Sequence, residues 1–114
     1  MSKARDLSRL SKVAQLTLDH RLGQLRASAA EVERSRMQLA SINASARTVE
    51  DIAPVTAERV VLSYERWADV RRSELNLVIA RQTVAWMEAR GEAQAAFGRV
   101  QALQGLATRQ KERK

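Results

Sequence analysis

Apolar residues recur along this chain at the spacing of helices that pack on other helices. In the N-terminal half Leu18, Leu25, Val32, Leu39 and Ala46 return every seven residues. Leu22, Ala29, Arg36 and Asn43, four places after the first four of these, supply a companion series. Upstream, Leu7 and Ala14 join the stripe through a four-residue step to Leu18, which reads as a stutter. In the C-terminal half Val61, Ala68, Leu75, Gln82, Ala89, Ala96 and Leu103 form another seven-residue series. Its companion starts at Tyr64 and Val78, then moves one place along to Trp86, Ala93 and Val100. The period is therefore slightly above 3.5, and the supercoil is expected to be weak. Arg36, Arg71 and Asn43 fall on seam positions, where they snorkel, fix register or are simply tolerated.

The only proline, Pro54, lies near the midpoint. Proline lacks an N–H and restricts the residue before it, so a helix arriving from the N-terminal side stops near Ile52 or Ala53. Pro54 also suits the first position of a following helix, and residues 41–51 are the most polar, helix-indifferent stretch of the chain. The elements predicted are a helix over about 3–50, a turn over about 51–55 and a helix over about 56–110. At 1.5 Å per residue each helix is roughly 75–85 Å long, too long for a compact ball of this size. The expected fold is all-α, two long helices forming an antiparallel coiled-coil hairpin that takes in residues 1–114 as one unit. The competing arrangement keeps both helices but assembles them with other chains into a four-helix bundle. Two helices alone bury little surface, so self-association or a partner is physically reasonable.

Composition narrows the chemistry. The 114 residues include four glycines, one histidine and no cysteine. That excludes a disulfide framework, a thiolate zinc site, a thiol nucleophile and a multi-histidine metal site. No phosphate-binding glycine loop, HExxH or GxSxG occurs. His20 is flanked by Asp19 and Arg21 and is expected to face solvent. Glu31/Glu33 and Glu88/Glu92 read as solvated helix charges. Neither an enzyme nor a cofactor or metal site is expected. No run approaches the 18 or more apolar residues of a membrane span, so no membrane insertion is expected. The basic, serine-containing first 18 residues read as the opening turns of the mature helix rather than as a targeting segment. Cytoplasm is the default location.

Charge adds a geometric statement. The chain carries 20 Lys+Arg against 13 Asp+Glu, a net +7. Residues 1–26 hold +4, residues 90–114 hold +4, and residues 27–89 hold −1. In an antiparallel hairpin the first two segments meet, concentrating the excess at the open end. Arg5, Arg9, Lys12, Arg99, Arg109 and Lys111 are the candidate contacts there for an acidic partner; the alternative is that basic termini keep a narrow hairpin soluble. Nucleic-acid readers add base contacts or stacking aromatics to a basic surface. Here Tyr64, Trp67 and Trp86 lie in the electroneutral part, so only nonspecific nucleic-acid binding is expected. Gly91, Gly98 and Gly105 share one face at seven-residue spacing. Each costs up to about 1 kcal/mol relative to alanine. They form a candidate close-contact trough bordered by Ala95, Ala102 and Arg109, or they record drift in a tolerant helix.

A short basic chain with this pattern and no catalytic residues resembles the FliJ/YscO family. These are the general chaperone or stalk proteins of flagellar and type III secretion export. The text that carries the resemblance is LSRLSKVAQLTLDHRLGQL near the start, WADVRRSELN in the middle and EAQAAFGRVQALQGLATRQKERK at the end. The resemblance implies a coiled-coil shaft seated in the ring of an export ATPase, linking it to the membrane export gate and handling export chaperones. Its place would be cytoplasmic, or peripheral at the inner membrane through that complex. On this reading the basic end enters an acidic ring. The other half, around Met37, Leu39, Tyr64 and Trp67, is left for the gate or for chaperones. Trp67 lies on the flank of its stripe, either exposed as a contact residue or packed across the seam edge.

Overall fold

In the computed structural model, which describes residues 2–52 and 58–113, the chain is all-α. Helix α1 runs Ser2–Ile52 over 51 residues and helix α2 runs Glu58–Glu112 over 55. The expected ends near 3, 50 and 110 fall within two residues of these, and the expected start near 56 lies outside the described residues. Asp51 and Ile52 are still helical, while Pro54 and the rest of the expected turn lie outside the described residues. Little in either segment opposes a helix. The hydroxyls of Thr17, Thr48, Thr83 and Thr108 donate to the carbonyls four residues back at 2.7–3.0 Å, so each threonine satisfies itself locally. In α2, Glu58 in the first turn and Arg109 and Lys111 in the last complement the helix dipole.

The chain divides into two compact units. Unit 1 is Met1–Ser28 with Ala85–Lys114, and unit 2 is Ala29–Val84. Within each, α1 and α2 run antiparallel. In unit 1 the core joins Leu18 to Ala96 and Val100, with Ala14 packed against it, while Arg21, further along α1, meets Glu92, further back along α2. In unit 2 the core is Ile42, Ala68 and Leu75, with Leu39 and Tyr64 against it. There Ser35 meets Gln82 and Asn43 meets Arg72, again rising in one helix as they fall in the other. Among the described residues no large side chain is fully buried. The fully covered positions are small, with Ala68 at 0% and Ala96 at 1% exposure.

The seam corrects the register read from α1 alone. Leu18, Leu25, Val32, Leu39 and Ala46 do face inward, but their companions lie three places on, at Arg21, Ser28, Ser35, Ile42 and Val49. Leu22, Ala29 and Arg36 are exposed. Counting Leu7, Ser11 and Ala14, the inward positions of α1 alternate steps of four and three with no stutter. The reason is continuity. Leu7 and Ala14 at one end and Ile42 and Val49 at the other share one heptad phase, and a seam through Leu22 and Ala29 would leave that phase. Two of the polar residues this admits, Arg21 and Ser35, are paired across the helices. In α2 the expected shift of the companion series is present: Tyr64 and Arg71 lead to Ile79, Trp86, Ala93 and Val100. Ile79 takes the place expected of Val78, which is 38% exposed.

Candidate functional site

Polar groups at the seam come first, because they settle which surface is left over. In unit 2 the Ser35 hydroxyl, 5% exposed as a residue, donates to the Gln82 side-chain carbonyl at 2.7 Å. Arg72 donates from Nε to the Asn43 side-chain oxygen at 2.8 Å, and from a terminal nitrogen to Asp69 at 2.9 Å. In unit 1 the Arg21 guanidinium donates to a Glu92 carboxylate oxygen at 2.7 Å. Arg71, half-buried, pairs with Glu74 at 3.1 Å. Asn43 is thus a register contact, whereas Arg36 faces outward.

The cations of unit 1 are different. Arg5, Arg9, Lys12, Arg99, Arg109 and Lys111 are all exposed. Among the described residues no ion pair engages any of them. Unit 1 contains twelve basic and five acidic residues, unit 2 eight and eight, so the whole net charge of +7 belongs to unit 1. Beside these cations the seam thins into shallow apolar grooves. One, of about 280 Å³, is lined by Ala4, Leu7, Ser11, Ala107 and Lys111 among others. Another is bounded by Lys3, Asp6, Leu10 and Leu106. Leu10, Val13 and Leu16 are more than half exposed on the same stretch of α1. A surface that combines unpaired cations with apolar grooves suits an acidic, amphipathic protein partner better than a bare phosphate backbone.

Gly91, Gly98 and Gly105 are exposed, and a Cβ added at any of them would meet nothing within 4 Å. Among the described residues no packing therefore calls for glycine there. An open groove beside Gly105 is lined by Gln101, Ala102, Leu106 and Arg109.

The four residues expected in the other half separate into two kinds. Leu39 and Tyr64 pack against the core of unit 2, and Met37 and Trp67 are exposed by 63% and 53%. The Tyr64 and Trp67 rings lie 5.4 Å apart at 45°, so the seam residue braces the exposed one. Sequence reasoning missed what surrounds Trp67. Val60, Trp67, Val70, Leu77 and Val84 are each more than half exposed. They follow the three- and four-residue steps of a second helical stripe, in which Ser63, Glu74 and Arg81 fill the polar places. In unit 1, Trp86 is half-buried with the Arg90 guanidinium 5.6 Å from its ring centre.

His20 is exposed. Among the described residues no group of three or more His, Cys, Asp or Glu side chains could hold a metal ion. Neither helix is long and apolar enough, over those residues, to cross a membrane. No family model matches the chain, and neither a curated protein nor a solved structure does so.

Proposed function

We propose that this chain is a non-catalytic coiled-coil adaptor of the FliJ/YscO kind, a stalk that couples an export ATPase ring to the membrane export gate and handles export chaperones. The observation that supports it best is the segregation of charge: unit 1 carries the entire +7 and its six named cations make no ion pair among the described residues, while unit 2 is neutral. In this reading unit 1 enters the acidic interior of the ring, and electrostatic attraction steers the encounter and sets orientation. Unit 2, with Met37 and Trp67 exposed, faces the gate or the chaperones. The place of action is the cytoplasm, at the inner membrane through the complex. A second reading, an adaptor or assembly chaperone of another system, is favoured by the apolar stripe around Trp67, which any helical partner could use.

Co-purification with the cognate export ATPase at about 150 mM salt tests the first reading. The expected result is a complex that is lost when Arg5, Arg9 and Lys12 are all replaced by Glu, with helix content unchanged by circular dichroism. Wild-type chain that folds but does not co-purify removes the export stalk and leaves the general adaptor. Submicromolar, sequence-dependent DNA binding at that salt would overturn both readings, because phosphate-driven affinity alone falls steeply as salt rises.

A further inference from the structure

The exposed stripe of unit 2 marks an interface. Val60, Trp67, Val70, Leu77 and Val84 are exposed by 65%, 53%, 61%, 54% and 55%. They repeat at coiled-coil spacing on the flank of α2 that does not face α1, so the occupant is a helix that runs along α2. From these geometric features we propose that the occupant is the same stripe of a second copy of this chain, packed antiparallel about a two-fold axis near residue 72.

Three observations select a second copy. Four of the five apolar positions are symmetric about the midpoint; the fifth, Val70, falls opposite Glu74. In an antiparallel pair Val60 of one copy meets Val84 of the other, and Trp67 meets Leu77, so the same patch serves both sides, as a two-fold interface requires. Charge agrees with this register. Arg71 and Glu74, paired within one chain at 3.1 Å, straddle the midpoint. In this register the Glu74 of each copy lies opposite Val70 and one residue from Arg71 of the other, so opposite charges flank the axis on both sides. Unit 2 as a whole has eight basic and eight acidic residues, so two copies meet there without net repulsion; unit 1, at +7, would repel itself. Area agrees as well. At these exposures the five side chains offer roughly 500 Å² of apolar surface per chain. That is about the apolar share of the ~800 Å² per partner in a standard interface. The proposal does not rest on the export reading, and it is tested without an export partner.

The chain contains no cysteine, which makes the test clean. Sedimentation velocity of the full chain between roughly 5 and 200 μM, at about 150 mM salt, should show twice the 12.8 kDa chain mass at the upper end. Val70→Glu and Trp67→Lys should each weaken the dimer at least about 30-fold. Leu16→Glu, at a site in unit 1 that is 69% exposed, should leave it unchanged, and circular dichroism checks that all three variants remain helical. Mixed Val70→Cys and Glu74→Cys chains should form the hetero-disulfide under mild oxidation faster than either forms a homodisulfide. A wild-type chain that stays monomeric to 200 μM overturns the proposal and leaves the stripe to the helix of another protein. A dimer that survives both Val70→Glu and Trp67→Lys places the interface elsewhere, and preferential Val70→Cys homodisulfide overturns the antiparallel register.

Discussion

Units 1 and 2 use the same two helices and solve different problems. Unit 2 seals its seam with Ile42, Ala68 and Leu75 and holds a partly buried Ser35–Gln82 hydrogen bond. It has no glycine and no net charge, and it keeps a second apolar stripe on its outer surface. Unit 1 seals its seam with smaller residues, Ala89, Ala93 and Ala96 beside Leu18 and Val100, and crosses it with an exposed Arg21–Glu92 ion pair. It holds all four glycines and the whole +7. The difference teaches that a helical hairpin need not be uniform. Unit 2 has the means to hold the helices in register, and unit 1 has a weaker helix and the charge to meet something else.

The sharpest way to break this contrast is to empty each core in turn. Leu75→Ala, at a site 2% exposed, should cost about 3 kcal/mol in urea unfolding followed by circular dichroism. Leu18→Ala, at 7% in an alanine-lined seam, should cost about 2 kcal/mol. Equal losses would mean that the two seams are equivalent. The next effect runs the other way. Replacing Gly91, Gly98 and Gly105 together by Ala should stabilise the chain by roughly 2 kcal/mol, because each added methyl enters open space and each glycine weakens the helix. A thermal melt that does not rise would show that unit 1 is not the softer unit. The smallest effects come from double-mutant cycles across the seam. The Ser35–Gln82 coupling should be about 1 kcal/mol and insensitive to salt. That of Arg21–Glu92, with side chains 36% and 53% exposed, should be about 0.5 kcal/mol and fall as salt rises. A reversal of that order would undo the distinction between the two kinds of crosslink.

Much of this was legible in the sequence, for identifiable reasons. Pro54 and the seven-residue series located both helices, because a proline and a long heptad pattern act locally. The companion series of α1 was not legible. Leu22 and Ala29 are more apolar than Arg21 and Ser28, and only the partner helix reveals that Arg21 and Ser35 are satisfied by Glu92 and Gln82. A polar seam residue is recognised by what stands opposite, which one helix read alone does not contain. The second stripe was missed for a related reason. A search for one apolar face treats Val60, Val70, Leu77 and Val84 as noise around the first, although their spacing was there to be counted. Leu39 and Tyr64 were grouped with Met37 and Trp67 by position in the chain, whereas burial divides them.

The absence of any large, fully buried side chain among the described residues has a consequence for abundance. A seam this thin leaves stability sensitive to whatever binds the folded chain, and such stabilisation grows with the concentration of the binder by mass action. Survival of the folded chain then depends on dosage, its own and that of its partners, as much as on its sequence. Copies made in excess of their partners should be the first to unfold and be degraded.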